Sequence, residues 1–336
     1  MKAHALRIGK AMSAALFVLL LVVVGSKNAL AQTQVATLQH GEDISVYYGA
    51  NAFVEAHEAA QTGDIITLSS GTFTPTDITK AITLRGAGCA IDTVTDTQPT
   101  IFSNSITLNV TDTENFLTVE GIKFASYMYF GTLNSPKFNR CNFSTIQYSY
   151  SYYQYMSNAQ FVNCIINYFY YTYVTNPTFV NCVVWNHVSS QSNSTPLFYN
   201  SIMKCPSFAF SAINSIVCDN SLGSNCSCTN CIGIYQYGDP FTYCSATGCI
   251  TYSSYDEVFE SFTGGYSLSF EESFALKDEI ATGFLGTDGT QVGIYGGTMP
   301  YSSRPFYMAP ARYNVSNKSN NEGKLNVEIE VITEGE

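Results

Sequence analysis

Charge is scarce in this chain, and positive charge scarcer: 15 Lys and Arg stand against 26 Asp and Glu, a net charge of −11 with only 12% of residues charged. Nucleic acids and anionic surfaces are held by basic footprints, so neither is an expected partner. The scarcity is most severe from Phe138 to Tyr235, where Arg140, Lys204 and Asp219 are the charged residues and His187 the one histidine. A glycoside hydrolase needs a pair of carboxylates. A polysaccharide lyase needs a base beside the uronate and Ca²⁺ held by several carboxylates. That stretch supplies neither set, so the expectation leans away from an enzyme, with no cofactor and no metal.

The one long apolar run, Ala14 to Val24, is about half a membrane span and lies between Lys2, Arg7 and Lys10 and the small-residue site Ala29-Leu30-Ala31. Residues 1–31 therefore read as a secretory signal peptide. Gln32 in place of Cys argues against a lipoprotein. Removing Lys2, Arg7, Lys10 and Lys27 leaves the mature chain more acidic still. The expected location is the periplasm, the cell surface or the medium, with no stable membrane insertion after cleavage.

What the chain has in abundance is one repeated line. It reads Phe138-Asn-Arg-Cys141-Asn-Phe143, Phe161-Val-Asn-Cys164-Ile-Ile166 and Phe179-Val-Asn-Cys182-Val-Val184. Looser copies centre on Ile122, Ser201, Ser215 and Cys231. Aligned, they give four columns: Val119/Phe138/Phe161/Phe179/Phe198/Ala212/Cys228; Gly121/Arg140/Asn163/Asn181/Asn200/Asn214/Asn230; Ile122/Cys141/Cys164/Cys182/Ser201/Ser215/Cys231; and Phe124/Phe143/Ile166/Val184/Met203/Val217/Gly233. The step varies from 14 residues (Ser201 to Ser215) to 23 (Cys141 to Cys164), a fixed unit with variable loops, as in a solenoid. Asn and Gly tolerate positive φ, so the second column marks one left-handed bend per coil. After the bend, a period of two puts Cys164 with Ile166 and Cys182 with Val184 on the inner face.

These columns, the opening segment Ala52 to Ala60 with Gly63-Asp-Ile-Ile-Thr-Leu68, and the closing segment Asp288 to Gly297 resemble the right-handed parallel β-helix proteins of the pectate-lyase-like class. The resemblance is nearest to secreted bacterial members of unassigned function and covers roughly Gly41 to Gly297. It implies an all-β solenoid over residues 32–300; in the tail, 301–336, the polar stretch Asn314 to Glu322 reads as a loop, and the alternation of Leu325-Asn-Val-Glu-Ile-Glu-Val331 reads as one edge strand.

Within that frame Ala52, Phe53, Ala56, Ala59 and Ala60 share one helical face, which predicts a short helix capping the apolar stack, with His57 and Glu58 in water. Arg85-Gly-Ala-Gly88 opens no helix, so its glycines are turn residues and not a phosphate loop. Beyond Gly264 the repeat fades into what read as irregular last coils. The stacked Cys141, Cys164 and Cys182 are expected as buried free thiols, because in-register side chains run parallel and suit a disulfide badly. For Cys226, Cys228, Cys231, Cys244 and Cys249, disulfide or core roles are favoured over zinc, since no His or acidic neighbour reinforces a metal site.

The remaining excess is tyrosine. Counting seven positions on from the third column reaches Tyr129, Tyr148 and Tyr171, and nine positions on reaches Tyr150 and Tyr173, with Trp185 and His187 at nearby offsets one coil later. Stacked coils would line these rings into a ladder. Tyr129, Tyr148, Tyr150, Tyr171, Tyr173 and Trp185 are therefore the candidate ligand-binding residues. The expected function is a non-catalytic binding protein for a polysaccharide or cell-surface glycan. The alternatives are a lyase or hydrolase acting on an acidic polysaccharide from the opening coils (Asp64, Asp77, Lys80, Arg85, Asp92, Asp96), and a purely structural scaffold.

Overall fold

A computed structural model describes residues 34–303, apart from 93–95, 151–153, 189–194, 205–207, 220–224, 266 and 271, together with the backbone of 309–319 and 325–332. The segment read as a signal peptide, residues 1–31, lies outside these residues. The fold is all-β: parallel strands stack as a solenoid of about nine turns, in sheets of 12 and 13 strands, the first of which opens with the strand Val35–His40 paired antiparallel to both Asp43–Tyr48 and Ile65–Leu68. No helix among the described residues is long and apolar enough to cross a membrane.

The aligned columns are the rungs. In the first ladder Val119, Phe138, Phe161, Phe179, Phe198, Ala212 and Cys228 pair in unbroken parallel register. In the second, Phe124, Phe143, Ile166, Val184, Met203, Val217 and Gly233 do the same. Between the two strands of each coil sits the left-handed residue, with φ of 67° at Gly121, 50° at Arg140 and 46° to 55° at Asn163, Asn181, Asn200, Asn214 and Asn230. Inside, the Phe138, Phe161, Phe179 and Phe198 rings stack at 4.9, 5.0 and 4.8 Å, within 14° of parallel.

The third column is more than small apolar filler. The Cys164 and Cys182 thiols each reach the carbonyl two residues back, at 3.3 and 3.2 Å, and Ser201 and Ser215 do so at 2.7 and 2.8 Å. Each of these side chains also receives an N–H from the coil before: Cys141 N–H to Cys164 Sγ, Cys164 N–H to Cys182 Sγ at 3.4 Å, Cys182 N–H to Ser201 Oγ at 3.2 Å, Ser201 N–H to Ser215 Oγ at 3.1 Å. Tight bends leave backbone groups unpaired, and a short side chain that both donates and accepts satisfies them. Cys141, Cys164 and Cys182 are free and fully buried, as expected.

Both ends of the core are closed. Helix α1 (Ala52–Ala59) covers the first coils, and Lys80 Nζ donates to the carbonyls of His57, Glu58 and Ala60 at its C-terminus. The expectation for His57 is corrected: it is 5% exposed and packs against Phe53, while Ala59 faces water. The inward stripe runs through 52, 53, 56, 57 and 60, so position 57 takes the place assigned to 59. At the other end Phe241 folds onto Gly233, where a Cβ would meet its ring at 2.7 Å and Pro240 at 2.4 Å.

Residues beyond Tyr252 do not form further coils. They double back along the outside of the second ladder as a strap: Leu268 N–H meets Asn167, Gly293 N–H meets the Asn214 carbonyl, and Ser303 reaches Cys89. Asn side chains of the bends grip it, Asn181 donating to Ile294 and Gly296 at 2.8 and 2.7 Å and Asn214 accepting from Thr287 at 2.9 Å. Beneath it lies a second core of Ile165, Val183, Trp185, Ile202, Ile216 and Ile232 against Phe259, Phe262, Leu276 and Ile294. Helix α2 (Asp278–Gly283) is part of the strap. In the tail the Leu325–Ile332 strand pairs antiparallel with a second strand, Ala309–Ser319, which takes in the first part of the stretch Asn314 to Glu322 expected as a loop.

Two substitutions separate the contributions to the core. Phe161→Ala removes an inner ring of the stack and is expected to cost roughly 3–5 kcal/mol, read as a lower urea midpoint. Cys164→Ser should stay near the parent, whereas Cys164→Val, apolar and without a donor or acceptor, should lose about 1–3 kcal/mol by stranding its backbone partners.

Candidate functional site

The outer surface of the second ladder is divided by a bend. Pairing runs through Asn142 and Phe143, lapses at Ser144 and Asn167, and resumes at Thr145 and Tyr168. The strip before the bend carries Ile165, Val183 and Ile202 and is buried under the strap. The strip beyond it is left open by the strap, and that is where the tyrosines gather.

In register, Tyr127, Thr145 and Tyr168 form one outward column, and Thr107, Tyr129 and Gln147 form the next, with Tyr170 following Phe169 on the adjoining strand. Tyr127 and Tyr129 stack at 5.5 Å and 7°. Thr145 and Gln147 sit low between the rings, 7% and 8% exposed, and Gln147 Nε2 donates to Tyr150 Oη at 3.1 Å. Tyr148 meets the edges of Tyr150 at 5.1 Å and Tyr173 at 5.4 Å. Its hydrogen bond to the Tyr150 phenol pushes the Tyr148 hydroxyl above its usual pKa. Tyr150 is 74% exposed and Tyr173 52%. The strands Asn142–Tyr148 and Ile165–Tyr170 contribute no charge to this face.

Of the six sequence candidates, the structure brings Tyr148, Tyr150 and Tyr173 into one cluster and sets Tyr129 beside it. Tyr171 and Trp185 are corrected: each is 0% exposed. The vertical ladder Tyr129–Tyr148–Tyr171 does not form: an extra residue bulges the Ile122–Asn134 strand and moves Tyr129 out of register with Tyr148, and Tyr171 lies past the end of its strand, buried in the core. Tyr148 therefore pairs with Phe130, and Gln147 with Tyr129. Trp185 lies under the strap, its Nε1 donating to the Gly265 carbonyl at 2.9 Å with Phe262 against its face. Tyr171 turns into the core and stacks on His187 at 5.5 Å and 19°. Tyr127, Tyr168 and Tyr170 belong to the face and were missed; their alternation with Met128 and Phe169 is the period-two signal that marks them.

The few charges of the central coils are structural. Lys204 pairs with Asp219 at 3.3 Å and lies over the Trp185 ring, and Arg140 reaches Glu120 at 3.8 Å. In the opening coils Asp64 accepts from His40 and from the Gln61 N–H, both at 2.7 Å, and Asp77 accepts from the Thr107 N–H at 3.0 Å. An open cleft of about 450 Å³ lies several turns away, lined by Tyr235, Gln236, Thr251, Tyr252 and Glu257.

His187 Nε2 lies 3.2 Å from the Val184 carbonyl, which can only accept, so Nε2 carries the proton and Nδ1 accepts from Tyr171 Oη at 3.0 Å. The ring is thus neutral, and burial pushes its pKa from 6.5 down to about 3. Between those values the unfolded chain binds a proton that the folded chain refuses. Stability is full above pH 6.5 and declines towards pH 3, by ~1.4 kcal/mol per unit at most. Urea titrations across that window should show a shallower decline for His187→Phe than for the parent, whatever its absolute stability. Comparison with protein-family profiles, curated proteins and solved structures finds no match to this chain.

Proposed function

We propose that the chain is an exported, non-catalytic member of the pectate-lyase-like β-helix class that binds a glycan on the tyrosine face. The observation that carries this reading is an uncharged aromatic strip beyond the bend: Tyr127, Tyr129, Tyr150, Tyr168 and Tyr170 over Thr145 and Gln147. Sugar rings present apolar faces edged with hydroxyls. Tyrosine matches both, with a ring to stack on and a phenol to donate or accept, and with few rotors to freeze. The net charge of −11 opposes acidic polymers, so a neutral glycan is the favoured ligand.

On a glycan array the parent should bind a neutral polysaccharide saturably. Tyr129→Ala and Tyr170→Ala should each weaken binding by roughly 3- to 10-fold, the worth of one stacked ring. Trp185→Phe, altered beneath the strap, should bind like the parent. Absence of binding to every glycan tested, or equal binding by all three variants, would remove the proposal.

A further inference from the structure

Cys226, Cys228, Cys231, Cys244 and Cys249 meet in the last two turns, around the strands Ser227–Thr229, Ser245–Thr247 and Ile250–Tyr252. Ser227 pairs with Ser245 and Thr229 with Thr247. Cys226 is therefore beside Cys244, and Cys231 beside Cys249, as in-register neighbours whose Cβ vectors run parallel and suit a disulfide badly. Cys228 is placed differently. It lies two positions on from Cys226, diagonal to Cys244, and its thiol meets those of both Cys231 and Cys244, Cys244 entering from a turn with its N–H on the Phe241 carbonyl at 3.0 Å.

Cys228 and Cys231 are fully buried, and Cys244 and Cys249 are partly exposed, unlike the other described cysteines. Cys244 thus offers a sulfur that a small reagent can reach, with a second sulfur directly behind it. No group of three or more His, Cys, Asp or Glu among the described residues is arranged to hold a metal ion.

We propose that Cys228 and Cys244 are a redox pair that forms a disulfide, tying the last turn of the solenoid to the one before it. The oxidant is a low-molecular-weight disulfide. The Cys244 thiol gives up its proton and its sulfur attacks the small disulfide, expelling one thiolate, which takes that proton. The Cys228 sulfur, deprotonated in turn, attacks the Cys244 sulfur of the mixed disulfide and expels the second. Two protein thiols lose two electrons, and the small disulfide leaves as two thiols. Burial pushes the Cys244 thiol up to about 11, so the exchange quickens as pH rises and thiolate accumulates. The bond closes a loop containing Phe241, the plug of the core, and Tyr235 and Gln236, which line the open cleft. It does not depend on the glycan reading.

The test uses the full chain incubated with glutathione and its disulfide, alkylated, cut with chymotrypsin between the pair at Tyr235 and Tyr237, and mapped by mass spectrometry without reduction. The expected product joins the Cys228 and Cys244 peptides, forms faster at higher pH and raises Tm. Cys228→Ser and Cys244→Ser should lose it, and Cys226→Ser, Cys231→Ser and Cys249→Ser should keep it. No cross-link in the folded parent, a cross-link surviving in Cys244→Ser, or one lost in Cys226→Ser or Cys249→Ser overturns the assignment. Cys244→Ser changes a partly exposed residue, so its folding can be verified by circular dichroism before the map is read.

Discussion

The coils from Cys164 to Ser215 turn on the same constraint: a residue with φ near +50° is followed by a side chain short enough to lie in the bend and able to bond the backbone that the bend leaves unpaired. Asn163, Asn181, Asn200, Asn214 and Asn230 meet the first requirement, and Cys164, Cys182, Ser201 and Ser215 the second. Cysteine and serine interchange along this column because each is small and each both donates and accepts. With the bend fixed, the flanking strands are fixed in register, and the phenylalanine stack follows because one coil's ring must lie over the next at the strand spacing. Fold specificity here rests on backbone satisfaction, and the aromatic core fills the space it defines.

The same bend explains how the outside is covered. Left-handed asparagines point their amides to the flank of the solenoid, where Asn181 and Asn214 bond the returning chain. An irregular strap has no ladder of its own to satisfy its backbone. It is held by groups that the repeat supplies at regular intervals, and its apolar side chains bury the isoleucine strip below. The solenoid therefore has two cores sharing one sheet, as in parallel sheets covered on both faces.

How much was legible in the sequence follows from which features repeat. The four columns were readable because each position imposes one chemistry on every coil, and the pairing reproduces them residue for residue. Tyr129 was misregistered because counting along the chain assumes equal coils, and a single bulged residue near Ala125 ends that assumption; Tyr171 was misplaced because its strand ends at Tyr170 and the next residue is buried in the core, and Trp185 because the strap covers it. The strap carries no period, so nothing in residues 255–303 announces a return path. Its imprint was nonetheless present: Ile165, Val183, Ile202, Ile216 and Ile232 sit one residue after the third column, on the outward side, and an apolar outward column needs a cover.

That outward column also bears on why the tyrosines lie where they do. Each central coil presents two outer strips, one on either side of the bend at Ser144, Asn167 and Trp185. On the first, fully apolar side chains would face water at a cost of about 25 cal/mol per Å², and the chain covers them with its own C-terminal segment. On the second, Tyr127, Tyr129, Tyr168 and Tyr170 keep aromatic bulk beside the core while setting a hydroxyl at the solvent edge, so no cover is needed for stability. A solenoid that leaves this strip open tolerates it because tyrosine is at home half-wet, and the same half-wet character suits a ring surface to a ligand with apolar faces and hydroxyl edges. The difference between the strips is therefore chemical before it is functional: isoleucine requires the strap, and tyrosine makes room for a partner.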